Sequence, residues 1–225
     1  LLTGGLDVNG DGAITGADTN VYVSNTANLG LVNDNSKCTN YSVGANYRFT
    51  NDFSVFARHS KGYRAIADRL LYSANIDAIT GQLTNRSAAL APVQQSEIGV
   101  KAKGNTGNFA YGVAATLFHS TNTEFDYDQT RQDDPLLPNF AGPKLNIIGY
   151  KADGIELETG AAFGNFGLVF NTVYSKEVIT QNLGQPSVIG KTSGGVPKLR
   201  YNISPRYTYG GLTVGATIRG NSKVF

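Results

Sequence analysis

The residues best suited to chemistry lie near the start of the chain, where oxygen-bearing positions follow the spacing of a calcium-binding loop. Positions 1, 3, 5, 7, 9 and 12 of such a loop are occupied here by Asp7, Asn9, Asp11, Ala13, Thr15 and Asp18. Ala13 would contribute its backbone carbonyl, and Gly12 stands at position 6, where these loops turn sharply. Ca²⁺ takes six to eight oxygen ligands, which is about the number offered. The sequence therefore predicts calcium binding, with a surface loop rich in Asx turns as the alternative.

Two features limit what this calcium loop could do. Asp18 replaces the usual glutamate at position 12, which shortens the reach to the ion. No convincing amphipathic helices flank the loop, so it is not part of a complete EF-hand pair. We expect Ca²⁺ to order an external loop and to take no part in catalysis.

A second group of candidates combines aromatic rings with charged groups near the ends of predicted strands. They are Tyr63, Arg64, Asp68 and Arg69 after the second predicted strand, and Asp126 and Tyr127 after the fourth. Rings that stack and carboxylates that accept hydrogen bonds would suit a sugar or an iron chelate. The same residues also fit solvated loops or an extension of the strand, so the ligand site is a hypothesis.

The pattern of reactive residues does not indicate an enzyme. The chain has no nucleophile–base set, no phosphate-binding glycine loop and no CxxC pair, since Cys38 is its single cysteine. We expect no organic cofactor. His59 and His119 lie on apolar faces of strands that another strand separates, so we interpret them as interface residues rather than a metal pair. We predict a protein that is not an enzyme.

The elements that would position these residues are β-strands, because apolar and polar residues alternate with period two along most of the chain. The first strand shows the pattern clearly, with one face carrying Tyr41, Val43, Ala45, Tyr47 and Phe49. Similar runs return in pairs joined by short turns such as Gly164-Asn165. We count about eight strands in four hairpins, each roughly ten residues long. Long connections are expected at 62–94, 121–144 and 176–196.

Strand length and aromatic placement indicate a membrane barrel. Strands of about ten residues suit a tilted crossing, and short turns that alternate with long loops are typical of outer-membrane barrels. Phe49, Phe53 and Phe163 flank short turns, whereas Val113 and Ala115 lie further along the same face of a strand. A bilayer favours aromatic rings at the ends of an aliphatic band. We expect the odd-numbered apolar side chains of the early hairpins to contact hydrocarbon.

Composition and charge agree with a wide, closed barrel. The 225 residues are 40% hydrophobic and 16% charged, and a net charge of +2 gives no support for nucleic-acid binding. In lipid every backbone N–H and C=O must be paired, so the sheet must close. The polar faces would then point inward with Arg48, Arg58, Lys101, Lys103, Arg200, Arg206, Arg219, Glu97, Glu156 and Glu158. A wide barrel with a water-filled or plugged lumen accommodates these charges best.

Several segments resemble strands of the TonB-dependent outer-membrane receptors. Phe53–Ala65, which reads FSVFARHSKGYRA, resembles the family strand aromatic-Ala-Arg-x-Ser-Lys-Gly-Tyr-Arg. Gln95–Lys101 and Gly154–Glu158 resemble later strands, and Pro197–Arg219 is similar to a hairpin near the family's C-terminus. The resemblance covers most of the chain from Cys38 onward, and it depends on the order and spacing of the segments.

The resemblance implies a part of a barrel of about twenty-two strands in the bacterial outer membrane. It implies ligand-gated uptake of a nutrient such as a siderophore, cobalamin or a saccharide. The implied partners are outer-membrane lipid, a small-molecule ligand, a plug domain and an energy-coupling protein of the inner membrane. The chain contains no plug-like segment and no energy-coupling box, so we expect a C-terminal portion of a receptor.

We divide the chain into an extracellular loop with the calcium-type motif at 1–38 and barrel strands at 39–225, with short periplasmic turns and long extracellular loops. Two alternatives stay open. In a self-contained small outer-membrane barrel with a structural or adhesion role, residues 39–220 would close on themselves. In a secreted calcium-binding β-sandwich, the apolar face would pack against a second protein layer.

Overall fold

The computed structural model describes residues 35–65, 80–83, 89–128 and 144–224, which form an antiparallel β-sheet. Its strands are β1 (Tyr41–Arg48), β2 (Phe53–Ala65), β3 (Leu90–Thr106), β4 (Phe109–Asp128), β5 (Lys144–Phe163), β6 (Phe166–Asn182), β7 (Leu199–Tyr209), β8 (Leu212–Gly215) and β9 (Ile218–Asn221). A short 3-10 helix, Pro186–Val188, lies between β6 and β7. None of the helical residues in these ranges forms a helix long and apolar enough to cross a membrane. The predicted all-β antiparallel class is confirmed.

Each strand from β1 to β7 pairs with the next one along the chain, so the sheet is a meander of hairpins, and β9 also pairs with β7. The four predicted hairpins are confirmed, and the register shifts between Gly149 and Tyr150 in the pairing of β5 with β6. Among the described strands, β1 pairs with β2 alone, and both β8 and β9 pair with β7 alone. The described strands therefore form an open sheet, and residues 39–220 do not close on themselves as the small-barrel alternative requires.

The predicted eighth strand is divided into β8 and β9 by a proline in its neighbour. Arg206 pairs with Gly215 and Ile203 pairs with Ile218, so both pieces keep one register with β7. Between them, the backbone N–H of Ala216 donates to the carbonyl oxygen of Pro205 at 3.1 Å. Pro205 has no N–H with which to return a hydrogen bond, so the ladder is interrupted at that pair.

Three of the hairpin turns contain two residues and begin with a glycine. Gly107, Gly164 and Gly210 have φ angles of +59°, +54° and +57°, a region that favours glycine. Glycine at the first central position is typical of a type II′ turn, whose twist matches that of the strands it joins. The sequence predicted these turns, and their geometry fixes the register of each hairpin.

The register brings the predicted apolar residues of all strands onto one face of the sheet, here called the apolar face. One cross-strand row through its middle consists of Tyr47, Val55, Val100, Ala115, Leu157, Thr172 and Tyr201. A row beside the turns contains Phe109, Phe163, Phe166 and Tyr207. No second layer formed by the described residues covers this face, because Ile98 and Leu117 are 59% and 56% exposed. The β-sandwich alternative is therefore wrong for this part of the chain.

The strands extend further on the loop side than the sequence predicted. β4 and β5 contain 20 residues each, and they remain paired from Phe109 with Phe163 as far as Asp128 with Lys144. The segment 121–144, which the sequence assigned to a loop, thus begins as strand. β2, β3 and β6 likewise continue into their predicted loops, as far as Ala65, Leu90 and Asn182.

The described residues bury few apolar side chains, and these lie at the loop-side ends of the strands. Leu83, Ala89, Ala91 and Phe125 are each no more than 7% exposed, and Leu90 and Ile147 pack against them. The cluster joins the ends of β3, β4 and β5 to the short segment 80–83. It gives the sheet a local protein core on the loop side, whereas no described residue covers the central part of the apolar face.

Candidate functional site

The second face of the sheet, here called the polar face, carries the charged residues that the sequence placed inward. The register confirms that they share one face, because Arg58 pairs with Glu97, Glu158 with Ala114, and Arg219 with Asn202. Basic groups predominate near both edges of the sheet, on β1 to β3 and on β7 to β9, and Glu156 and Glu158 lie between them on β5. The polar face is therefore charged across its width, with its acidic residues on the central strand β5.

One hydrogen-bonded ion pair fixes side chains on the polar face. Arg58 Nη2 lies 2.8 Å from Glu97 Oε2, and Gln95 Nε2 donates to Glu97 Oε1 at 2.5 Å. The Glu97 side chain is 13% exposed and that of Arg58 is 53% exposed. Because the Arg58 side chain is about half exposed to water, this ion pair contributes little to stability, since ion pairs in contact with water contribute about 0–1 kcal/mol. Its main consequence is a fixed orientation of Arg58 toward the space that this face borders.

Several basic groups in the central part of the polar face have no carboxylate partner among the described residues. Lys101 Nζ instead lies 5.0 Å from the centre of the Phe56 ring, a cation–π distance. Lys103, Arg200 and Arg206 form no ion pair with any carboxylate in the described ranges. Charges of this kind need water or an acidic partner, so the polar face suits a hydrated lumen or a protein surface that fills it.

A concavity of about 600 Å³ lies against β6, β7 and β9 and offers two arginines to an anion. Arg200, Arg219 and Asn221 line it together with Asn171 and Asn202. Asn202 Oδ1 is buried without a hydrogen-bond partner among the described residues. Guanidinium groups and amide N–H groups are suitable donors for a carboxylate or a phosphate. Sequence analysis assigned both arginines and Asn202 to this face and missed Asn171 and Asn221, which join them only through the cross-strand register.

The predicted ligand residues of β2 lie on opposite faces of that strand. Arg64 Nη2 lies 3.4 Å from Glu124 Oε1 across the end of β3, so Arg64 belongs to the polar face. Tyr63 lies on the other face, where its ring stands 5.4 Å from Lys61 Nζ, and its backbone N–H donates to Asn40 Oδ1 at 3.1 Å. The structure thus does not bring Tyr63 and Arg64 into one site. Glu124, which sequence analysis missed, is the residue paired with Arg64.

The remaining predicted ligand residues are placed only in part. Asp126 and Tyr127 lie within β4, where their backbones pair with Asn146 and Leu145. They are strand residues, which was one of the two interpretations that the sequence left open. Asp68 and Arg69 lie outside the described residues, so the ligand role of this group stays a prediction.

The predicted calcium ligands Asp7, Asn9, Asp11, Ala13, Thr15 and Asp18 also lie outside the described residues. Within the described ranges, no group of three histidine, cysteine or acidic side chains could hold a metal ion. His59 and His119 are separated by Ser96 of β3, as the sequence predicted, and each has its own partner. His59 Nδ1 lies 2.9 Å from Ser96 Oγ, and His119 Nδ1 lies 2.6 Å from Asp153 Oδ1.

Comparison with known proteins defines the class to which this two-faced sheet belongs. The family model described as TonB-dependent receptor-like β-barrel matches residues 2–224, so the chain belongs to this family of outer-membrane receptors. An uncharacterised TonB-dependent receptor of Haemophilus influenzae is 25% identical over 230 residues, which cover 97% of this chain and 58% of the relative. The chain therefore spans less than two thirds of that relative. The family consists of receptors and transporters rather than enzymes.

Solved structures of the same class show the same fold. The ferripyoverdine receptor of Pseudomonas aeruginosa bound to ferripyoverdine is 20% identical, with a TM-score of 0.52 over 79% of this chain and 22% of the receptor. The complex of FpvAI with pyocin S2 gives 19% identity and a TM-score of 0.53 over 80% of this chain and 22% of that one. The described strands are therefore similar to one sector of a receptor barrel, which agrees with their open edges.

Proposed function

We propose that this chain forms part of the wall of an outer-membrane receptor that imports a small ligand with energy supplied from the inner membrane. The observation that carries the proposal is the sheet with one apolar and one charged face. The chain that forms this sheet matches the TonB-dependent receptor family over residues 2–224. The apolar face faces lipid, and the charged polar face borders the lumen. A plug domain would fill that lumen and contact the unpaired basic groups.

Iron chelates are the ligand class that the comparisons favour. The similar solved receptor is bound to ferripyoverdine, a ferric siderophore complex. Such chelates carry oxygen-rich anionic groups, and Arg200, Arg219 and Arg64 present guanidinium groups on the polar face. Saccharides are the alternative class, for which stacking rings such as that of Phe56 would be the main contacts.

Deletion of the gene should abolish uptake of one ligand by the bacterium that encodes it. Radiolabelled iron would be supplied as a panel of ferric siderophores, with a panel of oligosaccharides measured in parallel. We expect at least a tenfold loss for one ferric siderophore, because diffusion through general pores does not replace receptor import of large chelates. Complementation with the wild-type gene serves as the control and should restore uptake. If the deletion strain takes up every iron chelate normally but no longer takes up one oligosaccharide, the iron-chelate proposal is wrong and the ligand is a saccharide.

We also propose that the segment Asp7–Asp18 binds Ca²⁺ and orders an external loop. Calorimetric titration of the complete protein with CaCl₂ should show binding at about 0.1–1 mM, the range of extracellular calcium modules. Asp11→Ala removes the carboxylate at position 5 and should abolish the heat signal. Asp34 lies outside the loop pattern, so the control variant Asp34→Ala should leave the heat signal unchanged. Absence of binding at millimolar Ca²⁺, or equal losses in both variants, would contradict the calcium site.

A further inference from the structure

The hydrogen-bond ladder of the wall has a gap at Pro205. Both β8 and β9 keep one register with β7, and the backbone N–H of Ala216 donates to the carbonyl oxygen of Pro205 at 3.1 Å. In a regular antiparallel pair, the N–H of residue 205 would return a bond to the carbonyl oxygen of Ala216. Proline has no N–H, so no described residue donates to this oxygen.

The unpaired carbonyl oxygen of Ala216 points toward β7 and not toward the outer edge of β9. In an antiparallel sheet the N–H and the C=O of one residue point to the same neighbouring strand. The N–H of Ala216 bonds to β7, so its C=O points to β7 as well. A strand added beyond β9 therefore could not supply the missing donor.

The gap lies near the middle of the membrane-spanning part of β7. Pro205 precedes the turn residue Gly210 by five positions. At about 3.3 Å per residue and a tilt of about 40°, this is roughly 13 Å, or about half of the roughly 25 Å height of the apolar band in such barrels. Hydrocarbon offers no hydrogen-bond donor, and an unpaired backbone group costs far more there than in water. A donor for the Ala216 oxygen must therefore come from the polar face.

Two hydroxyl groups lie beside the gap on the polar face. Ser204 Oγ lies 3.1 Å from Thr217 Oγ1, and these residues are the chain neighbours of Pro205 and Ala216. One hydrogen bond between the two hydroxyl groups uses one of their two protons, so the other proton and further lone pairs remain for water. A bound water needs two to four polar partners, and the two hydroxyl groups with the Ala216 carbonyl oxygen provide three.

We propose that the wall binds a water molecule from the lumen at this gap. The water donates to the carbonyl oxygen of Ala216, is held by the hydroxyl groups of Ser204 and Thr217, and replaces the hydrogen bond that Pro205 cannot form. This inference rests on the proposed placement of the polar face toward the lumen. It adds that the plug leaves the wall beside β7 hydrated at the mid-membrane height.

Water-edited solid-state NMR of the complete protein in lipid vesicles tests for the bound water. Labels of ¹³C at the alanine carbonyl and ¹⁵N in threonine select Ala–Thr pairs, and this chain contains two, Ala115-Thr116 and Ala216-Thr217. Ala115 lies in regular pairs of β4 and serves as the internal control. Magnetisation from water should reach the Ala216 carbonyl several-fold faster than the Ala115 carbonyl. Pro205→Val should remove the difference, and Ala216→Gly assigns the signal by its loss.

Urea unfolding of the complete protein in vesicles tests whether the hydroxyl groups serve the gap. Pro205→Val restores the N–H and should favour the folded state about five- to thirtyfold, a gain that misfolding cannot produce. Ser204→Ala/Thr217→Val should disfavour the folded state about tenfold when residue 205 is proline. The same two substitutions should cost about threefold or less in the Pro205→Val background, because the carbonyl oxygen then has a backbone donor.

A second hydroxyl pair on the same strands provides the matched control. Thr208 Oγ1 lies 3.0 Å from Thr213 Oγ1 nearer the turn, away from the proline. Thr208→Val/Thr213→Val should cost the same with proline or valine at position 205. Equal costs of Ser204→Ala/Thr217→Val in the two backgrounds, or water transfer to Ala216 no faster than to Ala115, would overturn the proposal. Ligand uptake by the wild-type protein is measured separately, so a protein that imports its ligand without these effects refutes the bound water alone.

Discussion

Replacing Ala115 with arginine should destabilise the folded barrel by about 2–4 kcal/mol, the cost of an arginine at the bilayer midplane of a barrel. Ala115 pairs with Val100 and Leu157 in the middle row of the apolar face. It lies between the aromatic row at Phe109 and the polar position His119. An arginine there must carry its charge into hydrocarbon or bend toward a headgroup layer that is distant on both sides.

The matched control is the next residue along the same strand. Thr116 lies on the polar face, where it pairs with Gly99 and Glu156. Thr116→Arg places the new guanidinium group beside the Glu156 carboxylate, so its effect should be small. Urea unfolding of the complete protein in phospholipid vesicles, followed by intrinsic fluorescence or by gel mobility, gives the two free energies. Equal losses in both variants would show that the two faces have been assigned incorrectly.

Replacing Gly154 with alanine should destabilise the sheet by about 1–3 kcal/mol, the usual cost of forcing extra volume into a closely packed site. A Cβ atom at this position would lie 2.6 Å from the backbone carbonyl oxygen of Tyr174 and would overlap the ring of Phe118. The ring can rotate away, but the carbonyl belongs to β6 and cannot move without disturbing the pairing with β5. Gly154→Val should cost more than Gly154→Ala for the same reason.

Gly160 provides a control on the same strand and the same face. A Cβ atom at Gly160 would meet no atom within 4 Å among those of the described chain. Gly160→Ala should therefore change the unfolding free energy by no more than about 0.5 kcal/mol. The double variant Phe118→Ala/Gly154→Ala should regain part of the loss through removal of the ring. Similar losses at Gly154 and Gly160 would show that close approach is not the reason for glycine at position 154.

Aromatic rings also lie over other glycines of the sheet, and this arrangement explains part of the high glycine content. Phe56 covers Gly99, Tyr111 covers Gly104 and Tyr201 covers Gly220, each across a neighbouring strand. An aromatic ring laid over a glycine covers backbone that would otherwise lack a side chain. These pairs occur on both faces of the sheet, so they stabilise strand pairing independently of the environment on either side.

The sequence by itself determined which side chains share a face and where the hairpins turn. Alternation such as Glu97 against Ile98, and Thr116 against Leu117, is a local property of an extended chain with lipid on one side and water on the other. Glycine at Gly107 and Gly164 likewise specified the turns, since few other residues adopt a positive φ at low cost. These signals were sufficient for the antiparallel sheet and its two faces.

Only the tertiary structure decided how far the strands continue and which distant side chains meet. Beyond Thr121 the residues of β4 still alternate, as in Phe125-Asp126-Tyr127-Asp128, but the alternation alone did not show that pairing with β5 persists to Asp128. The pairing of Arg64 with Glu124 likewise could not be predicted, because it depends on the register of three strands. The interruption at Pro205 also depends on its neighbour, because a missing N–H matters only where an adjacent strand offers an acceptor.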